Sequence, residues 1–344
     1  MIFYALKTFF KFSSFFLKLF GQKPAVADDF YILPAAQLIG FLSEKFNTGL
    51  TSSKDPKLAR RNMEISSKIA MPKIKDIYWF EFVINLNSHS LKARFYRPFQ
   101  NSTLDKAILF FHGGGFVLGS IKSHDATAAL IAKTTQLPVI SVDYRLAPEH
   151  QFPAAALDAI DCFDWLVKHA SKFDINPQKI IVAGDSAGGN LAAVVAQQRK
   201  DSDVKPLAQV LLYPVLDFHF NSQSHKLFSN GFFLTRADLQ YFMEQYLSDP
   251  QQAKDPMASP LLNKEFSNLA PALIITAGFD PLRDDGYKYF ELLQKNNVLV
   301  IYKCYYDLIH GFMNMAIIPN GIDIIKEVCH TIKLFTDNIV DQRP

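Results

Sequence analysis

The middle of the chain reads Ile180-Ile181-Val182-Ala183-Gly184-Asp185-Ser186-Ala187-Gly188-Gly189-Asn190. A run of four apolar residues enters a Gly-x-Ser-x-Gly pattern, and the small apolar residues at 191–196 follow it. This order predicts a buried strand, a sharp turn and a helix. In such a turn the serine backbone is strained, and the flanking glycines remove side chains that would block the returning chain. We therefore expect Ser186 above the carboxyl end of a sheet, beside a helix N-terminus that favours negative charge.

Size and composition limit the classes of protein that this chain can represent. Its 344 residues are 49% hydrophobic and 20% charged, which is typical of a globular chain with one large core. The net charge of +3 is too small to indicate a nucleic-acid partner. Cys162, Cys304 and Cys329 lie far apart, so they predict neither a disulfide framework nor a zinc site.

Apolar runs separated by helical segments begin at Lys106, a pattern typical of a parallel sheet covered on both faces. The predicted strands of this part are 107–111, 137–142, 179–183, 208–213, 272–277 and 299–304. The predicted helices are 125–135, 153–171, 187–199, 280–296 and 322–338. Before them, 78–85 and 91–97 predict a hairpin, and 55–69 predicts a helix. Residues 216–260 are long for a crossover, and we interpret them as an insertion with one helix near 236–247.

The N-terminal residues are unusually rich in phenylalanine and lysine. On a helix, Lys7, Lys11, Ser14 and Lys18 would form one stripe, with Phe and Leu residues covering the rest. Three lysines in twenty residues argue against a membrane span. Two interpretations stay open. The segment is either an in-plane helix that buries its Phe face in a bilayer or a lid, or a secretory signal with a small-x-small pattern at 25–27.

A serine nucleophile needs a base and an acid, and in α/β-hydrolases the chain order is Ser, acid, His, each at a strand end. Asp280 follows the predicted strand 272–277 and is therefore the candidate acid; an N-cap carboxylate would suit the same position. Asp284 and Asp285 come a turn later, where a solvated helix face is expected. Asp307 is a rival acid, but its place near the base favours a loop-shaping role.

His310 is the candidate base. Of the nine histidines, it alone is expected in a loop directly after the last strand and before the last helix. The neighbouring Gly311 allows close approach of the backbone.

A glycine triplet after the strand 107–111 supplies candidate donors for the oxyanion that forms when a serine attacks a carbonyl. His112 is followed by Gly113, Gly114 and Gly115. We assign the N–H groups of Gly113 and Gly114 as donors, together with that of Ala187. A phosphate-binding loop is disfavoured, because neither a P-loop lysine nor a Gly-x-Gly-x-x-Gly pattern opens a helix here. His112 is expected to brace the loop.

Together these motifs resemble the hormone-sensitive lipase family of α/β-hydrolases, in particular its bacterial esterases, from about Asp28 to the C-terminus. The resemblance rests on residues 112–115, 184–190, 280–284 and 309–312, and on Asp143-Tyr144-Arg145-Leu146-Ala147-Pro148-Glu149-His150-Gln151-Phe152-Pro153-Ala154-Ala155. It implies an α/β-hydrolase fold, with a mostly parallel sheet of about eight strands, helices on both faces and a helical cap. In this family Glu149 is expected either to help hold the oxyanion loop or to be a buried, paired scaffold charge.

The resemblance also implies a domain plan. Residues 1–27 would be an amphipathic extension that departs from the family pattern, 28–75 the first part of the cap, and 76–344 the catalytic domain. A second cap segment would be inserted at about 216–260. The cap is expected to line an acyl pocket with Phe116, Phe232 and Phe233.

The implied activity is hydrolysis of short- to medium-chain carboxylic esters by Ser186, His310 and Asp280, without a metal or organic cofactor. An amide deacetylase or a lactonase would use the same machinery, and a non-catalytic ligand-binding homologue is the alternative from another class. The expected partner is a small-molecule ester; residues 1–20 suit peripheral membrane contact, and a homodimer is compatible. The expected location is the cytoplasm, with membrane association or secretion still open.

Overall fold

An eight-stranded sheet dominates the computed structural model, which describes residues 2–99 and 105–339. Its strands are β3 (Ile77–Asn85), β4 (Ser90–Pro98), β5 (Ala107–Phe111), β6 (Val139–Asp143), β7 (Ile180–Asp185), β8 (Ala208–Leu212), β9 (Ala272–Phe279) and β10 (Val300–Ile309). A separate antiparallel pair precedes them, β1 (Val26–Ala27) and β2 (Phe30–Tyr31). Met1 and residues 340–344, which belong to the predicted extension and catalytic domain, lie outside the described residues.

The strand order in the sheet is β10-β9-β8-β7-β5-β6-β4-β3. The β3–β4 hairpin is antiparallel and joins β6 in antiparallel register, whereas β5 to β10 pair in parallel. Residues of β5, β7, β8 and β9 are buried throughout, as expected for strands covered on both faces. The predicted α/β class, with a mostly parallel sheet of about eight strands, is confirmed.

Eleven helices are described. They are α1 (Ile2–Lys11), α2 (Ser13–Leu19), α3 (Pro34–Lys45), α4 (Pro56–Ala70), α5 (Asp125–Thr135), α6 (Ala154–His169), α7 (Ala187–Gln198), α8 (Gln223–Leu227), α9 (Arg236–Tyr246), α10 (Arg283–Lys295) and α11 (Gly321–Asn338). Alternate residues of each central strand enter two separate apolar layers, as the period of two requires. Leu109 and Val182 face the layer with α6 and α7, whereas Ile108 and Ile181 face the layer with α5 and α11.

The N-terminal segment forms two helices rather than the single predicted helix. The helical run ends at Lys11, and α2 begins at Ser13 after a turn at Phe12. The break lets α1 contact α4 while α2 packs on α3. As a result, the predicted lysine and serine stripe does not continue along one straight axis.

Residues 216–260 contain a second short helix, α8, in addition to the expected α9. The insertion meets the N-terminal helices through Thr51 Oγ1, which donates to Asp238 Oδ1 at 2.5 Å. Strand β10 is also longer than predicted and ends at Ile309, so Asp307 lies in a strand and not in a loop. Asp307 is exposed there, and its carbonyl accepts a hydrogen bond from Leu33 N–H at 2.8 Å.

Candidate active site

Ser186 stands at the sharp turn between β7 and α7, with φ 54° and ψ −117°. A positive φ is uncommon for a residue with a side chain, and the structure must hold it in place. The Ser186 N–H donates to the Leu212 carbonyl at 2.8 Å on the neighbouring strand. A Cβ at Gly188 would lie 1.9 Å from the Phe111 carbonyl oxygen, so only glycine allows the helix to start this close to β5. The turn leaves Ser186 partly exposed beside the first turn of α7.

His310 and Asp280 follow β10 and β9 directly and complete a chain of hydrogen bonds from Ser186. His310 Nε2 lies 3.0 Å from Ser186 Oγ, and His310 Nδ1 lies 2.8 Å from Asp280 Oδ2. Because the ionised carboxylate can only accept, His310 Nδ1 carries a proton and Nε2 is free to accept one from the serine. The parallel strands bring these three residues to one edge of the sheet.

Asp280 is fully buried, and each of its oxygens has a defined partner. Oδ1 accepts the N–H of Leu282 at 2.8 Å, and Oδ2 accepts from His310. The two interpretations of Asp280 therefore coexist, because one carboxylate both caps the turn before α10 and contacts the histidine.

The oxyanion loop, residues 112–119, differs from the prediction at one donor. The Gly113 N–H donates to Asp185 Oδ1 at 2.9 Å, so it is occupied before any substrate binds. Within residues 2–99 and 105–339, no acceptor takes the N–H of Gly114, Gly115 or Ala187. The assignment of Gly113 as a free donor is therefore wrong. Gly114 and Ala187 keep open N–H groups, and Gly115 offers a further one on the same wall of the cavity.

Asp185 was not among the predicted site residues. It is buried at the end of β7, and its Oδ2 lies 3.3 Å from His124 Nε2 without the alignment of a hydrogen bond. Burial opposes ionisation of the carboxyl, but His124 and the Gly113 N–H outweigh it and lower the pKa of Asp185. Its place directly before the serine, in a buried strand, was the only available signal in the sequence.

His112 contacts the loop from inside. Its Nδ1 lies 2.9 Å from the Gly113 carbonyl, and its ring stacks on Tyr144 with centroids 4.4 Å apart. The Tyr144 hydroxyl donates to the His112 carbonyl at 2.7 Å. Burial, with the charge of His124, lowers the pKa of His112 to about 3, so this imidazole stays neutral near pH 7.

Arg60 on α4 holds the outside of the same loop. Its Nε donates to the Val117 carbonyl at 2.7 Å, and one terminal nitrogen donates to the Ala147 carbonyl at 2.8 Å. Glu149 pairs with the guanidinium through both oxygens, at 2.9 and 2.6 Å. The Glu149 side chain is 41% exposed, so it is not a buried charge, and it acts on the loop through Arg60. Arg60 lies 87 positions before Ala147, and no local pattern indicated this contact.

A cavity of about 650 Å³ opens above the serine and is lined mainly by apolar side chains. Its walls include Leu6 and Phe10 of α1, Met63 of α4, and Phe116 and Phe233, with Ser186 and His310 in the same lining. Phe232, predicted to join Phe116 and Phe233, is not part of this lining. Its ring packs on Phe228 and Phe279, with centroids 5.4 and 5.6 Å away.

Within the described ranges, no group of three or more His, Cys, Asp or Glu side chains could hold a metal ion. No helix in residues 2–99 or 105–339 is long and apolar enough to cross a bilayer.

Comparison with known proteins agrees with this geometry. A family model described as alpha/beta hydrolase fold matches residues 108–314. Carboxylic ester hydrolase LipN of Mycobacterium tuberculosis is 44% identical over 238 residues, which are 67% of this chain and 63% of LipN. Ethyl acetate hydrolase of Pseudomonas putida is 38% identical over 275 residues, 77% of this chain and 85% of that protein.

Among solved structures, an ester hydrolase from the metagenome of Lake Arreo, complexed with a derivative of bipyridine phosphonate, has a TM-score of 0.80 and 32% identity. The match covers 88% of this chain and 98% of that one. The chain therefore belongs to the α/β-hydrolase fold family and, within it, to the esterases that resemble hormone-sensitive lipase.

Proposed function

We propose that this chain hydrolyses short- to medium-chain carboxylic esters through Ser186, His310 and Asp280. The observation that carries the proposal is the unbroken hydrogen-bond chain of these residues on the wall of an apolar cavity. Such a chain supplies a nucleophile, a base within reach of its proton, and an acid that orients the base.

In the first half of the reaction, Ser186 Oγ attacks the acyl carbon while its proton passes to His310 Nε2. The resulting tetrahedral oxyanion collapses, the C–O bond to the alcohol breaks, and His310 returns the proton to the leaving oxygen. In the second half, His310 Nε2 takes a proton from water as the water oxygen attacks the acyl carbon. The bond from the acyl carbon to Ser186 Oγ then breaks, His310 returns the proton to Ser186 Oγ, and the acid leaves. Asp280 keeps the proton on His310 Nδ1 and stabilises the imidazolium that forms transiently.

The proposed oxyanion donors are the N–H groups of Gly114 and Ala187, with Gly115 in place of Gly113. Donors fixed in a water-poor cavity stabilise the developing charge without reorganising during the reaction. Asp185, through Gly113, and Arg60, through Val117, hold the loop that presents them. Both are positioning residues.

The cavity supports an acyl group of limited length as substrate. A volume of about 650 Å³ with a mainly apolar lining and aromatic walls at Phe116 and Phe233 excludes water from an alkyl chain. The relative in Pseudomonas putida is named for the hydrolysis of ethyl acetate, an ester with a short acyl group.

Fluorophosphonate labelling tests the nucleophile. Wild type should be labelled, Ser186→Ala should not, and Ser186→Ala should lower kcat on aryl esters by about 10⁴-fold or more. Ser123→Ala is the matched control, because Ser123 also lines the cavity and lies 2.9 Å from the Nδ1 of a histidine, His124. Labelling that persists in Ser186→Ala would overturn the assignment.

The reaction class is tested by pairing esters of increasing acyl length with the matching anilides and lactones. Faster turnover of anilides or lactones than of esters would replace the proposed substrate class while keeping the same three residues.

A further inference from the structure

The first two helices and the residues that end them expose several large apolar side chains. We define the N-terminal patch as Ile2, Tyr4, Phe12, Phe15, Leu19 and Phe20. Tyr4, Phe12, Phe15 and Leu19 are between 59% and 72% exposed. Side chains of this size are exposed singly on many proteins, but a cluster of them marks an interaction surface.

Residues 2–27, which contain the patch, carry charge of one sign. Lys7, Lys11, Lys18 and Lys23 fall within the first 27 residues, which contain no Asp or Glu. The Lys45 ammonium lies 4.5 Å from the centroid of the Phe20 ring and adds a further positive charge. The combined charge of the four lysines in residues 1–27 is larger than the net charge of +3 of the whole chain. A surface that complements the N-terminal patch therefore has an apolar interior and a negatively charged outer layer.

We propose that the N-terminal patch docks this esterase on a bilayer that contains anionic lipids, with α1 and α2 lying in the interface. Amphipathic helices with lysines and aromatic residues bind membranes in this way, through apolar burial and attraction to anionic headgroups. The described helices include none that could span a bilayer, which agrees with binding in the plane.

A second copy of the chain is the competing occupant. In a symmetric dimer the same patch would face itself, and each copy would bring its four lysines without an acidic partner from residues 1–27. This repulsion favours the anionic lipid surface.

Docking also has a consequence for the active site, which rests on the proposed function. Leu6 and Phe10, on the side of α1 away from Tyr4, line the cavity that contains Ser186. The helix that contacts lipid is therefore also a wall of the acyl pocket. The substrates that this arrangement would supply are acyl esters that partition into membranes.

Vesicle flotation of the full chain tests the docking. We expect binding to phosphatidylcholine vesicles that contain phosphatidylglycerol, and weaker binding to phosphatidylcholine alone or at high salt. Phe12→Ser with Phe15→Ser should lower partitioning by about tenfold or more for each residue. Lys11→Ser with Lys18→Ser should lower binding to anionic vesicles by about fivefold for each residue. Leu334→Ser, at an exposed leucine of α11, is the matched control and should bind as the wild type does.

The outcomes separate docking from catalysis. The Phe12→Ser, Phe15→Ser variant should hydrolyse a water-soluble ester at the wild-type rate, since neither residue lines the cavity, and Ser186→Ala should still float. Flotation without any ester hydrolysis would leave docking intact and reject the proposed function. Docking would be overturned if the double Phe variant floated as the wild type does. It would also be overturned if the wild type failed to float. A dimer that depends on the patch in light scattering, without flotation, would be one form of that outcome.

Discussion

Asp185 connects two parts of the site with one carboxylate. It precedes Ser186 in the chain and accepts the Gly113 N–H at 2.9 Å, so the serine turn and the oxyanion loop share a rigid link. A Cβ at Gly113 would lie 2.7 Å from Asp185 Oδ2, which leaves room only for glycine at this contact. The loop is therefore preorganised in the free protein, which is the condition for electrostatic stabilisation of a transition state.

Among single residues, Asp285 differs most clearly from what the sequence predicts. It was expected on a solvated helix face, but it is buried, and its Oδ2 accepts the N–H groups of Leu216 and Asp217 at 3.0 and 3.3 Å. It anchors the start of the insertion to α10. Burial raises the pKa of Asp285 well above its ordinary value, and the nearby Asp217 carboxylate adds to the rise.

This raised pKa predicts a pH-dependent effect of Asp285→Asn. Below the unfolded pKa, about 4, both states hold the proton; at higher pH the unfolded state loses it first, so wild-type stability falls as pH rises. Asn keeps an acceptor for Leu216 N–H and has no proton to lose. We expect the Tm of Asp285→Asn minus that of the wild type to increase as pH rises from about 5 to about 8.

Thermal unfolding across this range is the measurement. Asp284→Asn, which alters a partly exposed carboxylate one position away, is the control. A constant Tm difference between Asp285→Asn and wild type at all pH values would contradict the prediction.

At the scale of elements, α4 is connected to the oxyanion loop through Arg60. Three groups converge on its guanidinium: the carbonyls of Val117 and Ala147 and the Glu149 carboxylate. Ala147 in turn donates its N–H to the Phe116 carbonyl at 2.9 Å. Helix α4 therefore fixes the backbone that presents the proposed donors.

Arg60→Ala should lower kcat on a soluble ester by about tenfold or more, because the loop loses its outer anchor. Arg60→Lys should restore only part of this loss, since one ammonium cannot reproduce the planar fork. Arg61→Ala removes the adjacent, exposed arginine and serves as the control. Steady-state kinetics of the three variants are the measurement. Equal kcat for Arg60→Ala and wild type would argue against a role of Arg60 in holding the oxyanion loop.

The ion pair of Arg60 and Glu149 predicts how the stability that Arg60 contributes depends on pH in acid. The hydrogen bond from Arg60 lowers the pKa of Glu149 to about 2, so the stabilisation is present above the ordinary value of 4.5 and is lost as pH falls through about 2. The Tm gap between wild type and Arg60→Ala should therefore be constant above about pH 4.5 and narrow as pH falls from there to about 2. Glu149 is substantially exposed, and solvent screening keeps its own contribution small.

At the scale of the whole molecule, the pocket is built by parts of the chain that are far apart in sequence. The sheet contributes Ser186 and His310, and the first helix contributes Leu6. Leu6→Trp should fill the cavity and lower kcat/KM for octanoate esters more than for acetate esters. Leu19→Trp adds the same ring on the exposed face of α2 and should keep the wild-type profile on soluble esters. An equal loss of kcat/KM for esters of every acyl length in Leu6→Trp would indicate that Leu6 does not contact the acyl chain.

Most of the architecture could be predicted because it depends on local patterns. Runs such as Ile180–Asp185 are too apolar to lie anywhere but inside, and glycines mark where they turn. In a parallel sheet every strand ends at the same edge. The order Ser186, Asp280, His310 was therefore enough to expect three side chains in contact, and the described distances agree with it.

Strand ends and helix breaks were less predictable, since pairing partners extend or interrupt them. Strand β10 continues past the predicted end because β9 offers it a partner as far as Phe279. The turn at Phe12 depends on how α1 and α2 pack on two different helices.

The sequence by itself determined the sheet, the serine turn and the places of Ser186, Asp280 and His310 at strand ends, because each depends on residue type and on chain order. Only the tertiary structure decided which N–H of the glycine loop is already bonded, that Asp285 is buried, that Phe232 leaves the cavity and that Arg60 reaches Val117. These contacts join residues that are distant in the chain. Their partners are chosen by three-dimensional packing and hydrogen-bond geometry, for which local sequence carries no signal.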